Sequence, residues 1–189
     1  MQERISKIYL ATDHAGFDLK EKVKLFLEKI KIENDFESYN LSSNFQIVDH
    51  GANAFVADDD YTEYMHKAAL SLSEDEENLS NKSNTESNKS IAFVFGGSGA
   101  GEGIVMNRYK KNRCITYYGK DLSIIKLGRE HNDANSISFG ARFVNYEECI
   151  ESISVFMNTM FLGGKHSKRV LNIDKNKDHN FSFLSRFFS

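Results

Sequence analysis

A glycine-rich turn that contains one carboxylate is the part of the sequence best suited to chemistry. Residues 96–103 read Gly-Gly-Ser-Gly-Ala-Gly-Glu-Gly and directly follow the apolar run 91–95. Glycines reach backbone angles closed to other residues, and the N–H groups of such a turn and of a following helix point toward a negative charge. The turn therefore predicts an anion cradle. Within it, Glu102 is either an acidic residue favoured in a first helical turn or a catalytic base.

Three other segments carry residues with chemical potential, and each also has a structural interpretation. Asp13 and His14 follow the first predicted strand, where Asp13 could equally cap a helix. His131 begins the string His-Asn-Asp-Ala-Asn, whose composition is also typical of a turn. Residues 165–169 cluster four possible cations, which could form an anion site or a solvated charged surface.

Several common site types are not supported by the pattern. The glycine turn lacks the Lys-Ser/Thr ending of a nucleotide P-loop, and no G-x-G-x-x-G register fits it. The six histidines show no close pairing of the kind that binds zinc on a helix. We therefore predict no metal and no cofactor.

The order of periodic segments predicts the architecture that must position these residues. Strands and helices alternate: strands at 7–11, 45–49, from Phe93, at 114–118 and at 136–139, and helices at 17–32, 61–72, 121–130 and 147–161. Such alternation indicates a doubly wound, Rossmann-like α/β fold with three α/β/α layers and a parallel five-stranded sheet. Ligands bind at the carboxyl ends of the strands in such sheets, where the turns at 12–16 and 96–103 lie.

The chain is expected to form one domain over residues 1–173. Residues 71–90 hold only two apolar side chains, Leu72 and Leu79, and we expect a disordered, low-complexity surface insertion there. The segment 174–189 is polar and then aromatic, and it is expected to be a C-terminal tail that either packs on a partner subunit or is disordered.

Bulk properties exclude some partners. A formal net charge of -3 with both signs scattered along the chain gives no basic face for nucleic acid. Apolar runs are of strand length, well short of a membrane helix, and no secretory leader is visible. The two cysteines, Cys114 and Cys149, lie in apolar sequence and are expected to be reduced. We therefore expect a cytoplasmic protein without a nucleic-acid or membrane partner.

Taken together, the motifs resemble the ribose-5-phosphate isomerase B family and the related galactose-6-phosphate isomerases. The resemblance extends from about Lys7 to Val170. It rests on six motifs in the family's order: 12–16 (Thr-Asp-His-Ala-Gly), 59–61 (Asp-Asp-Tyr), 97–102 (Gly-Ser-Gly-Ala-Gly-Glu), 129–135 (Arg-Glu-His-Asn-Asp-Ala-Asn), 140–142 (Gly-Ala-Arg) and 164–166 (Gly-Lys-His).

This resemblance implies a metal-free aldose-ketose isomerase that interconverts ribose 5-phosphate and ribulose 5-phosphate in the non-oxidative branch of the pentose phosphate pathway. It further implies a homodimer, or a dimer of dimers, with the active site at the subunit interface. Many members carry a cysteine base at the position of Gly96. Another branch uses a glutamate at the position of Glu102, and this chain resembles that branch.

The same resemblance implies a role for each site residue. His131, from the second subunit, would open the sugar ring together with Asp13, and Glu102 would move a proton between carbons 2 and 1. The remaining contacts fall into three groups: Gly97, Ser98, Gly99, Ala100 and Gly101 for the enediolate oxygen; Tyr61 and Asn132 for the sugar; His14, Arg142, Lys165 and Arg169 for the phosphate. Lys165 stands where glutamate-type relatives carry arginine, and a lysine lacks the planar group with which arginine makes two hydrogen bonds to a phosphate.

Two alternative functions stay open at this point. An isomerase for a six-carbon sugar phosphate, such as galactose or allose 6-phosphate, needs the same catalytic groups and a longer pocket. A catalytically inactive sugar-phosphate binding protein is the other, because the usual cysteine is missing. The joint presence of Glu102 and His131 favours an enzyme.

Overall fold

A computed structural model describes residues 4–81 and 88–175, and five strands and six helices alternate along them. The strands are β1 (Arg4–Thr12), β2 (Leu41–Asp49), β3 (Asn88–Gly96), β4 (Cys114–Tyr117) and β5 (Ser136–Gly140). The helices are α1 (Phe17–Glu33), α2 (Tyr61–Asn81), α3 (Ala100–Met106), α4 (Leu122–Asn132), α5 (Tyr146–Asn158) and α6 (Lys165–Lys175). Short 3-10 turns lie at His14–Gly16 and Glu37–Tyr39.

The strands form one sheet in the order β2-β1-β3-β5-β4, and every neighbouring pair is parallel. The predicted doubly wound, parallel five-stranded fold is confirmed. Chain order reverses at β1 and β3, so the loops after these two strands diverge and leave a crevice at the carboxyl edge.

Helices cover both faces of the sheet because the central strands are apolar on both sides. In β3, Phe93 and Phe95 face one core with α1, α4 and α5, whereas Ala92 and Val94 face a second core with α2 and α3. A run of consecutive apolar residues is typical of such a strand, since successive side chains point to opposite faces. The result is the predicted three-layer arrangement.

The expectation of disorder across residues 71–90 is wrong for the part that the structure describes. α2 continues to Asn81, and β3 already begins at Asn88. A half-buried carboxylate anchors this part of the helix, which its low apolar content did not indicate: Asp75 accepts hydrogen bonds from Tyr9 Oη (2.6 Å) and Ser90 Oγ (2.7 Å) and pairs with Lys7 Nζ (3.0 Å). Residues 82–87 lie outside the described chain.

Two more boundaries differ from expectation near the C-terminus. The last predicted helix ends at Asn158 rather than Phe161, and the charged run at 165–169 forms the first turns of α6. Of the predicted tail, residues 176–189 lie outside the described chain, whereas Asp174 and Lys175 belong to α6. No helix among the described residues is long and apolar enough to cross a bilayer.

Candidate active site

The glycine turn connects β3 to α3 and packs tightly against the end of β5. Gly99 has a left-handed backbone (φ 73°), and a Cβ there would lie 2.8 Å from the Phe139 carbonyl carbon. Arg142 N donates to Gly97 O (3.2 Å), and a Cβ on Gly97 would lie 2.9 Å from Arg142 Cζ. Residue 99 therefore requires glycine, and the close approach at Gly97 brings the Arg142 guanidinium against the turn.

Glu102 lies in the first turn of α3, but its side chain is buried, with 5% of its surface exposed. The carboxyl group fills the space beside Gly96: a Cβ on residue 96 would overlap it and lie 2.7 Å from Oε2. Burial raises the pKa of Glu102, its own amide opposes the shift, and the negative charge of Asp13 adds to it. A raised pKa suits a group that takes and returns a proton near neutrality.

Asp13 caps the 3-10 turn that follows β1, as its helix-cap interpretation predicts. Its side chain accepts from Ala15 N (3.0 Å) and is 6% exposed. Thr12 Oγ1 donates to Phe95 O (3.1 Å), which ties the end of β1 to the end of β3. Asp13 therefore caps this turn and also acts on the pKa of Glu102, because the loops after β1 and β3 meet at one edge.

The loop after β2 and the start of α2 each add one side chain to this edge. Asp59 Oδ1 accepts from both His14 N (2.9 Å) and His14 Nδ1 (2.7 Å). The Tyr61 hydroxyl lies against the glycine turn, 2.7 Å from where a Cβ on Gly101 would be. Buried Lys20 fixes the start of this loop through Asp49 Oδ2 and Ala52 O, both at 2.8 Å.

The carboxyl edge thus gathers one group of predicted site residues: Asp13, His14, Tyr61, residues 97–101, Glu102 and Arg142. Sequence reasoning gave no role to Asp59 itself, although it quoted the Asp-Asp-Tyr motif. The pairing of Asp59 with His14 joins residues 45 positions apart. The only available signal was an acidic run that precedes a tyrosine already assigned to the site.

A second group of predicted residues lies at the opposite edge of the sheet. His131 and Asn132 form the last turn of α4, with Asp133 as a left-handed cap, so His131 is helical rather than part of a turn. β5 begins at Ser136, which pairs with Ala92, whereas its end at Gly140 pairs with Gly96. The four-residue separation from Ser136 to Gly140 corresponds to about 13 Å of strand. Because His131 precedes the start of β5 and Glu102 follows the end of β3, the two residues of one chain lie at opposite ends of the strands.

The start of α6 joins this second group. The rings of His131 and His166 stack at 4.2 Å between centroids and 8° between planes, and Leu162 N donates to Glu130 O (3.1 Å). Lys165 and Arg169 lie on the same first turns of α6 as His166. Burial lowers the pKa of His166, and the charges of His131, Lys165 and Arg169 lower it further. The predicted site residues therefore form two groups, one at each edge.

One set of side chains in the described ranges brings possible metal ligands together: Asp13, His14 and Asp59 place one ligand atom each within 4.8 Å of the others. His14 Nδ1 in this set already bonds Asp59 at 2.7 Å. We interpret the set as a charged hydrogen-bond cluster, and the absence of a metal requirement stays a prediction.

Comparison with known proteins shows the family of the chain. The profile of the family described as Ribose/Galactose Isomerase matches residues 8–173. The ribose-5-phosphate isomerase B of Mycolicibacterium paratuberculosis is 30% identical over 165 residues, which cover 87% of each chain.

Solved structures agree as well. The ribose-5-phosphate isomerase B of Mycoplasma genitalium with bound ribulose 5-phosphate is 26% identical, with a TM-score of 0.74 over 94% of this chain and 100% of that one. The ribose 5-phosphate isomerase of Thermotoga maritima is 28% identical, with a TM-score of 0.71 over 90% of this chain and 98% of that one. The chain therefore belongs to the ribose/galactose isomerase family of enzymes.

Proposed function

We propose that the protein interconverts ribose 5-phosphate and ribulose 5-phosphate, with Glu102 as the catalytic base. The observation that carries this proposal is the buried Glu102 carboxyl group beside Gly96, at the mouth of a glycine turn. The relatives named ribose-5-phosphate isomerase B support the choice of substrate.

The reaction begins with ring opening. His131 moves a proton at the ring oxygen, and Asp13 contacts the sugar hydroxyl groups beside it. Glu102 then takes the proton from carbon 2 of the open-chain aldehyde, and the bonding electrons form the double bond of an enediolate. The same carboxyl group returns the proton to carbon 1 while a proton passes from O2 to O1, which leaves the ketone.

The glycine turn supplies the electrostatic part of the mechanism. The amides of residues 97–101 and the Ser98 hydroxyl hold the enediolate oxygen, an interaction that strengthens as its charge develops. Tyr61 and Asn132 line the sugar pocket. His14, Arg142, Lys165 and Arg169 hold the phosphate, whose remote binding energy aligns the reacting carbons.

The two separate groups of residues imply that two copies of the chain build each site. In this proposal Glu102 and its surroundings come from one subunit, and His131, Asn132, Lys165 and Arg169 come from the other. Large apolar side chains are exposed on and beside α3 and α4, which both pack against the edge strand β4, and they support a homodimer through this edge: Ile104, Tyr118, Ile124, Leu127 and Phe143. Such exposed apolar side chains are typical of a subunit interface.

We also place the enzyme in the cytoplasm, because a charged sugar phosphate does not pass an apolar bilayer unaided.

Turnover by chelator-treated protein tests the proposed reaction. We expect formation of ribulose 5-phosphate from ribose 5-phosphate without added metal, and slower conversion of allose 6-phosphate and galactose 6-phosphate. A preference for either six-carbon sugar would keep the chemistry and change the substrate. No conversion of any of the three would favour a binding protein.

Mixing two inactive variants tests the shared site. Glu102→Gln and His131→Ala each inactivate both sites of a homodimer, but a mixed dimer carries one intact site. After unfolding and refolding of an equal mixture, random pairing predicts recovery of about a quarter of wild-type activity. Recovery no higher than that of either variant refolded alone would show that both residues act within one chain or that subunits do not pair.

A further inference from the structure

His14 is held more firmly than a substrate-binding side chain on a loop requires. Asp59 Oδ1 accepts from its backbone N–H at 2.9 Å and from its ring Nδ1 at 2.7 Å. The Asp59 side chain is only 7% exposed, whereas that of His14 is 31% exposed. Phe55 packs edge-on against the imidazole, with ring centroids 6.3 Å apart. The ring is therefore held by Asp59 and Phe55 and remains partly exposed.

Three carboxylates act on the His14 ring. Asp13 Oδ2 lies 3.9 Å from His14 Nδ1, and the carboxylates of Asp58 and Asp59 also act on the ring. Each of these carboxylates repels a phosphate group that binds beside His14. A neutral His14 would offset none of it, whereas an imidazolium contributes a positive charge and a second N–H donor.

We propose that Asp59 is a positioning residue of the phosphate subsite: it holds His14 through Nδ1 and keeps the ring doubly protonated, so that Nε2–H donates to the substrate phosphate. The inference rests on the proposed function, in which His14 binds that phosphate. It extends that function by assigning a task to Asp59, a residue that does not itself touch substrate.

The titration of both partners agrees with this assignment. The hydrogen bond to Asp59 raises the pKa of His14, burial opposes this rise, and the charges of Asp13, Asp59 and Asp58 add to it, so that the pKa is raised overall. Burial raises the pKa of Asp59, but its hydrogen bonds from His14 and Tyr64 outweigh this, and the pKa is lowered overall. Because the pKa of His14 is raised, the imidazolium persists to higher pH than a free histidine, and phosphate binding weakens as pH rises through that pKa.

Asp59→Asn tests the proposal, because it keeps the shape of the side chain and removes its charge. Asp58→Asn is the matched control, because it removes the same charge from the neighbouring, exposed residue. In the part of the chain that the structure describes, the carboxylate hydrogen-bonded to His14 is that of Asp59 and not that of Asp58. The readouts are the pKa of His14 by NMR, the Kd of inorganic phosphate, and KM and kcat for ribose 5-phosphate.

For Asp59→Asn we expect the pKa of His14 to fall toward the ordinary histidine range, and phosphate Kd and substrate KM at pH 7.5 to rise several-fold, because both the imidazolium charge and its fixed orientation are lost. We expect kcat to stay within about two-fold, because neither Asp59 nor His14 contacts the reacting carbons in this mechanism. Asp58→Asn should change each quantity by less than about two-fold, since an exposed charge is strongly screened.

A double variant separates positioning from a general effect on folding. In a His14→Gln background, adding Asp59→Asn should leave phosphate Kd unchanged or lower it, because the residue through which Asp59 favours binding is already gone and only its repulsion of the phosphate remains. An additive loss in the double variant, or a wild-type phosphate Kd in Asp59→Asn, would overturn the inference. The proposed function fails separately: a wild-type protein that binds phosphate in an Asp59-dependent manner but isomerises no sugar would remove only that function.

Discussion

Glu102→Gln is expected to lower kcat for ribose 5-phosphate by about two to four orders of magnitude, the usual contribution of a positioned general base. The amide has nearly the shape of the carboxyl group but cannot take a proton from carbon 2. KM should change little, because Glu102 acts on the reacting carbons and the phosphate contacts stay in place. Steady-state kinetics check this, together with loss of deuterium exchange at carbon 2 in D₂O.

A matched variant separates catalysis from helix capping. Glu147 lies in the first turn of α5, as Glu102 lies in the first turn of α3, but its side chain is exposed. If Glu102 served only the helix dipole, Glu102→Gln and Glu147→Gln would both cost less than about 1 kcal/mol of stability and leave kcat unchanged. We expect Glu147→Gln to behave in that way and Glu102→Gln to lose turnover.

The pH dependence of kcat/KM for the wild-type enzyme also tests the role of Glu102 as a base. Protonated Glu102 cannot act as a base, so kcat/KM falls as pH drops through its pKa. Because burial and the charge of Asp13 raise that pKa, the fall should occur at higher pH than for an ordinary carboxylate. An acid limb centred at or below the ordinary glutamate range would contradict the role assigned to Glu102.

The sequence predicted most of the fold because its signals are local. The alternating strands, the turns at their carboxyl ends and the apolar run of β3 all depend on residues close together in the chain. The continuation of α2 to Asn81 was missed because its stability depends on a contact between distant residues. Asp75 anchors the polar end of the helix to Lys7 and Tyr9 on β1, which no helical periodicity reveals.

The sequence could place the turns after β1 and β3 at the carboxyl edge, but it could not give the side-chain pairings within the candidate site. The resemblance named Glu102 and His131 together, but their placement at opposite edges follows from the parallel topology, in which α4 runs back from the carboxyl edge before β5 begins. The role of Asp59 could not be predicted because its partner lies on another loop. Side-chain pairing between two loops depends on how the strands before them are ordered in the sheet.

Gly96→Ala is expected to lower kcat nearly as much as Glu102→Gln, although it removes no chemical group. A Cβ at residue 96 would overlap the Glu102 carboxyl group, so the carboxyl must leave the position from which it reaches carbon 2. The backbone itself accepts alanine, because Gly96 is not among the residues with positive φ. The displaced group is the end of a flexible side chain, and the free energy of unfolding should change by only about 1 kcal/mol.

Two comparisons make this prediction specific. Gly128→Ala creates a milder overlap, 2.8 Å from Ile115 Cδ1, on α4 and away from Glu102, so it should leave kcat within about two-fold of wild type. The double variant Gly96→Ala, Glu102→Gln should be no slower than Glu102→Gln alone, because both changes remove the same base. Wild-type turnover by Gly96→Ala, or a multiplicative loss in the double variant, would mean that the position of the carboxyl group beside Gly96 is not the one used in catalysis.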